Sequence, residues 1–136
     1  MPFKTAFAAH EAFYQALETA DIELMNRVWS SAENTVCIHP LWPALVGRQA
    51  IVASWAEMIK HGSKMEVDTQ LISQHETTNS CTHLVQETLS VYGRSSSPVL
   101  ATNGYELTEE GWVMVLHHAS PTAQEPVDEQ EEYSLH

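Results

Sequence analysis

The chain is short of cations: six Lys and Arg stand against 18 Asp and Glu in 136 residues, a formal net charge of −12. The resulting field repels phosphate backbones and anionic headgroups, which argues against nucleic acid and membrane surfaces as partners. Charge of either sign is scarce too, at 18% of residues, where globular chains average roughly 25%. No run approaches the ~18 apolar residues of a membrane span. The first residues meet His10 and Glu11 before any apolar stretch could serve as an export signal. Only two cysteines occur, Cys37 and Cys81, and they form no CxxC. They read as buried free thiols of a protein in the reducing cytoplasm. Absent as well are GxSxG, a Walker loop, GxGxxG, HxH and HExxH. Nucleophile-elbow hydrolysis, nucleotide binding and a metal centre thus have no motif behind them, and neither cofactor nor metal is expected. Gly104 and Gly111 read as a strand irregularity and a turn.

What remains is 43% apolar and carries eight His and four Trp. A chain of this length forms one domain able to bury roughly two thirds of its unfolded surface. From Thr5 to Thr19, Phe7, Ala8, Phe13, Tyr14 and Leu17 follow a 3.6-residue period and predict an amphipathic helix. Asp21 can cap a second short helix with Ile22, Leu24, Met25, Val28 and Trp29 on its buried face. Thr35 to His39 reads as a strand stopped by Pro40, which has no N–H to donate to a ladder. Ile51, Val52, Trp55, Met58 and Ile59 predict a third helix, closed by His61 and Gly62. The period then shortens to two, with strands at Lys64 to Gln74, Cys81 to Tyr92, Pro98 to Leu107 and Trp112 to His118. Helices first and an antiparallel meander afterwards mean α+β, with helices stacked on one face of a curved sheet. From Thr122 to His136 acidic residues crowd a segment with little to bury, a solvated tail with a lesser reading as a docking element for another protein.

Candidate chemistry begins at His39, where a strand breaks into a Pro and Trp segment and a side chain can look into a cavity. Its imidazole suits general acid–base work, although a hydrogen bond within its own turn would also explain it. Trp42 beside it is either packing or a stacking platform. In the second long strand His83 and Glu87 share the more apolar face, and an inward Glu needs a partner or a raised pKa. Glu87 is then a pocket acid or a structural hydrogen-bonding group. Strict alternation along the last strand places Trp112, Met114, Leu116, His118 and Ser120 on one face and Val113, Val115 and His117 on the other. The two adjacent histidines therefore point oppositely, one to a pocket and one to solvent or a partner subunit.

Three segments carry a resemblance. They are Ala16-Leu17-Glu18-Thr19-Ala20-Asp21; Ile38-His39-Pro40 through Val46-Gly47-Arg48-Gln49-Ala50-Ile51 to Ser54-Trp55; and Ala101-Thr102-Asn103-Gly104-Tyr105 to Gly111-Trp112 and His117-His118-Ala119-Ser120-Pro121. In order and spacing, from about Thr5 to Pro121, the chain resembles the SnoaL-like branch of the nuclear transport factor two-like superfamily, which also holds ketosteroid isomerases, limonene epoxide hydrolase and scytalone dehydratase. The resemblance implies a cone-shaped, cystatin-like fold over residues 1–121, three helices closed on a curved, mostly antiparallel sheet, with a pocket at the wide end. It also implies a homodimer through the sheet face.

In ketosteroid isomerases the proton-shuttling Asp precedes a Pro at the end of the first strand, and His39 looks like the counterpart. The helix-one Tyr position falls on Phe13, with Tyr14 beside it, and the protonated-Asp position falls on Asn103. Asn103 donates without pKa tuning, whereas Phe13 cannot donate, which speaks against steroid isomerisation. The same register puts His118 and Ser120 on the pocket face and His117 outside. The expectation is a small-molecule pocket using His39 as base and Asn103 or His118 to polarise a substrate oxygen. Tyr14, Trp29, Trp42, Trp55, His83, Glu87, Leu116 and Ser120 would contact a neutral apolar substrate, the acidic chain favouring neutral or cationic ligands over anions. The alternative is a ligand-binding or dimeric assembly module without turnover.

Overall fold

A computed structural model describes residues 2–60, 65–91 and 93–122. The expected closing pair His61-Gly62, the strand ends at Lys64 and Tyr92, and the acidic tail beyond Thr122 lie outside the described residues.

Helix α1 spans Ala6–Thr19 and starts where Thr5 accepts from the Ala8 amide at 3.0 Å. Helix α2, Ile22–Val28, is capped by Asp21, which accepts from the Leu24 amide at 3.0 Å. Each cap satisfies an amide that the first turn leaves without an intrahelical partner. Strand β1 is Val36–Ile38, and β2, Leu45–Val46, folds back on it antiparallel. Helix α3 covers Arg48–Lys60. Then come β3, Met65–Glu76, β4, Ser80–Val91, and the short β5, Arg94–Ser95. Strands β6, Val99–Thr108, and β7, Gly111–Pro121, complete one seven-stranded sheet of order β2-β1-β7-β6-β4-β3, with β5 beside β4. The long strands form the expected antiparallel meander, while β1 lies parallel to β7. Phe13, Met25, Val28, Trp29, Ile51 and Met114 fill the core between helices and sheet without measurable exposure beyond 1%.

Two residues interrupt the pleat. Ile72 of β3 and Val115 of β7 have no ladder partner: the pairing steps from Leu71 to Ser73, and from Leu116 to Met114. Each extra residue bends its strand and flips the alternation beyond it. On β7 Trp112 and Met114 are buried before the bulge, and His117 and Ala119 after it. Strict alternation is thereby corrected: Leu116, His118 and Ser120 lie on the outer face, and His117 points inward. Gly104 stands opposite this bulge, where an added Cβ would come 3.3 Å from that of Leu116. The strand needs its missing side chain for that close approach. No described helix is long and apolar enough to cross a membrane.

Candidate functional site

Between α1, α3 and the inner sheet face lies a cavity of about 300 Å3. Its walls are mostly apolar, from Leu17, Trp55, Met58 and Ile59 on the helices to Leu89, Val99 and Ala119 on the sheet, with Pro40 and the half-exposed Trp42 at the rim. Three polar side chains interrupt them: His39, Glu87 and His117.

His39 is held just past the end of β1, its ring edge-to-face against both Trp42 and Trp55 at centroid distances of 4.8 and 4.5 Å. Its Nε2 lies 2.9 Å from Ser54 Oγ, and that hydroxyl gives its single proton to the Ile51 carbonyl at 2.7 Å. Ser54 can therefore only accept from the ring, so Nε2 carries the hydrogen and Nδ1 keeps a lone pair. Burial holds this imidazole down at about 4, and it is neutral at pH 7.

The other two polar groups are the ends of one hydrogen-bonded chain that passes behind the cavity wall. His117 Nδ1 lies 2.6 Å from Asn103 Oδ1, Asn103 Nδ2 donates to the Tyr14 hydroxyl at 2.9 Å, and Tyr14 donates to Glu87 Oε2 at 2.5 Å. An amide oxygen only accepts, so His117 must donate from Nδ1 and hold its lone pair on Nε2. Strand register makes the chain possible: Asn103 pairs with His117 across β6 and β7, and Tyr14 drops onto them from α1. Burial first, then the neighbouring His39 and His118, pull His117 down to about 3. Burial raises Glu87 above the usual carboxylate range, against the opposing effect of the Tyr14 bond. Burial and the nearby Glu87 also raise Tyr14, which stays protonated.

Deeper in the cone the same helix and sheet meet again. His10, one turn before Tyr14, places Nδ1 3.3 Å from Nδ1 of His83, which pairs with Asn103 on the β6 side of β4. His10 falls to about 4 by burial and then by His83, and burial lowers His83 as well. His83 Nε2 is buried with no hydrogen-bond partner among the described residues, and its ring lies 5.1 Å from that of Tyr105. None of these residues lines the cavity.

The structure thus brings together His39, Glu87, Trp42 and Trp55 of the expected set. Asn103 and Tyr14 stand behind the wall, with both amide groups of Asn103 and the Tyr14 hydroxyl engaged within the protein. Asn103 is therefore no direct partner for a substrate oxygen. His83 belongs to the inner pair, and Trp29 is a core residue packed on Phe13. His118, Leu116 and Ser120 are on the outer face, for the bulge reason given above. The sequence missed His117, whose clue was Gly104, and Ser54, which sets the His39 tautomer. Among the described residues no group of three His, Cys, Asp or Glu could hold a metal ion.

A conical α+β sandwich with acid–base groups on its inner wall is the nuclear transport factor two-like architecture. Within that class, a family model described as a SnoaL-like domain matches residues 7–124, and the chain belongs to that family. It is 34% identical to a Thiobacillus denitrificans protein assigned as a calcium/calmodulin-dependent protein kinase type II association domain, with a TM-score of 0.85 over 90% of this chain and 99% of that one. A Streptomyces avermitilis protein of the NTF2-like family, assigned as a dehydratase, is 28% identical with a TM-score of 0.76, covering 85% of this chain and 91% of that one. Among curated proteins, the Arabidopsis thaliana F-box protein SKIP8 is 21% identical over 117 residues, 86% of this chain and 49% of that protein. The chain spans about half the length of that relative.

Proposed function

We propose that the chain binds a small, largely apolar molecule in this cavity and moves a proton on it, as an isomerase, dehydratase or hydrolase would, with His39 as the general base. The observation behind this reading is that His39, His117 and Glu87 line one cavity whose other walls are apolar. A neutral imidazole with a free Nδ1 can take a proton and return it from the same atom. His117 offers a second lone pair, and Asn103 acts through it as a positioning residue by fixing its tautomer. Likeness to an assigned dehydratase fits proton chemistry of this kind.

On a panel of small ketones, epoxides and alcohols, with and without an amino group, His39→Ala should lower kcat by about 10²–10⁴-fold on whichever compound is turned over. The wild-type rate should fall as pH drops toward about 4, where His39 takes up a proton. Turnover unchanged in the variant removes His39 from the mechanism.

The second reading is a binding or assembly module, favoured by the 34% identity to a protein assigned as an association domain. On it, the outer sheet face, with half-buried Val36, Ile38, Leu100 and Leu116 beside His118, forms a homodimer. Thermal shifts with no product across the panel would favour it over catalysis. On either reading the free buried thiols of Cys37 and Cys81 suit the reducing cytoplasm.

A further inference from the structure

Resting on the reading of the cavity as a small-molecule pocket, we infer that its ligand is an organic ammonium, held by Glu87 and by the free nitrogens of His39 and His117. The protons around the cavity are already committed. His39 spends its N–H on Ser54, His117 spends its N–H on Asn103, and the Tyr14 proton goes to Glu87. The two imidazoles that line the cavity therefore have their single N–H committed within the protein, and an ionised Glu87 has no proton to give, so what these three groups keep for a ligand is lone pairs. A carbonyl, epoxide or carboxylate would meet acceptors on every polar wall. A protonated amine brings up to three donors to match them.

Charge points the same way. Glu87 is 6% exposed and has one hydrogen-bonding partner among the described residues, the Tyr14 hydroxyl. A buried carboxylate with a single neutral donor is under-compensated. The groups that face it are Tyr14 from α1, Cys37 and His39 from β1 and the loop after it, Tyr105 from β6 and His117 from β7. Thr69 of β3 pairs with it, and Trp55 is the facing residue from α3. None of these is a cation at neutral pH, and no Lys or Arg is among the described residues lining the cavity. The ligand is the natural source of the missing positive charge, and the indoles of Trp42 and Trp55 add a surface on which an ammonium rests favourably. A chain of formal charge −12 also concentrates cations at its surface. The cavity has room for about ten water-sized groups, which suits an amine on a single ring or short chain. His10 and His83 do not line this cavity.

Three probes of one shape separate the possibilities: benzylammonium chloride, benzyl alcohol and sodium benzoate, titrated into the full chain by calorimetry from about pH 5 to 8. Benzylammonium should bind at least about tenfold more tightly than benzyl alcohol at the upper end. Because burial holds Glu87 above the usual carboxylate range, that preference should be lost once the pH is low enough for it to take up a proton. Glu87→Gln keeps the shape and the Tyr14 bond, and should bring benzylammonium down to the affinity of benzyl alcohol. Tyr14→Phe removes the donor that favours the carboxylate, so the pH at which the preference disappears should move up, a readout that stands even if the Gln variant does not fold. Benzyl alcohol or benzoate binding as well as the ammonium, or a preference that survives Glu87→Gln, overturns the ammonium assignment and leaves the pocket intact. Binding of none of the three sinks the pocket reading and the assignment together.

Discussion

Two pairs of histidines are buried inside the protein, and one of them, His39 and His117, lines the cavity. Beside the cavity His39 and His117 are each oriented by a group outside the ring pair, Ser54 and Asn103, so each keeps one ring nitrogen with its lone pair free of those bonds. Away from the cavity His10 and His83 are oriented by each other, and the remaining nitrogen of His83 is buried with no hydrogen-bond partner among the described residues. Burial lowers all four. A depressed pKa therefore marks depth, while the positioning partner and the cavity beside it mark a site. The inner pair carries an atom with no hydrogen-bond partner among the described residues, which normally costs stability.

The sharpest way to break this contrast is to remove one member of each pair. His39→Ala should cost turnover by the factor given above, whereas His10→Leu should leave kcat within about threefold, since it touches no cavity wall. Equal losses in the two variants would erase the distinction.

Acid should unfold the protein through both pairs. His10, His39 and His117 fall from the ordinary 6.5 to about 4, 4 and 3 in the folded state. Their folded pKa values lie below the unfolded one, so the stability they contribute is present above pH 6.5 and is lost as pH drops through about 4. The slope is at most about 1.4 kcal/mol per pH unit for each histidine. Glu87 runs the other way, because its raised folded pKa means the folded state gains a proton first as pH falls. One such group does not offset three histidines. Urea unfolding from pH 7 to 4 should show a steep decline, and flat stability over that range would contradict the neutral assignments.

The smallest effect is predicted inside the inner pair. His10→Leu alone leaves His83 with no partner and should cost about 1–3 kcal/mol. Replacing His10 and His83 together by Leu removes the stranded polar atoms and should return most of that loss. A double variant less stable than the single one would mean the inner pair does more than pack.

Much of the frame was legible in the sequence, because caps and periods are local. Asp21 caps the second helix as expected, the first helix falls within the expected Thr5 to Thr19 stretch, and the first strand ends just before His39 and Pro40. The failures are all non-local. Alternation along β7 is a local rule, but the Val115 bulge is set by register against β6, and one unpaired residue turned His117 inward and His118 outward. Gly104 read as a strand irregularity, and only its partner strand reveals which side chains that irregularity re-aims. Asn103 is fully buried. That its amide is consumed by Tyr14 and His117 depends on residues 89 and 14 positions away, which no motif records.

The central claim is that two neutral imidazoles of opposite tautomer present their lone pairs to one cavity. Nitrogen-15 NMR of the histidine rings at pH 7 reads this directly. His39 should be protonated on Nε2 only and His117 on Nδ1 only, with the two bare nitrogens shifting when a cavity ligand is added while those of His10 and His83 stay in place. A charged ring at either position, or matching tautomers in the two, would contradict it.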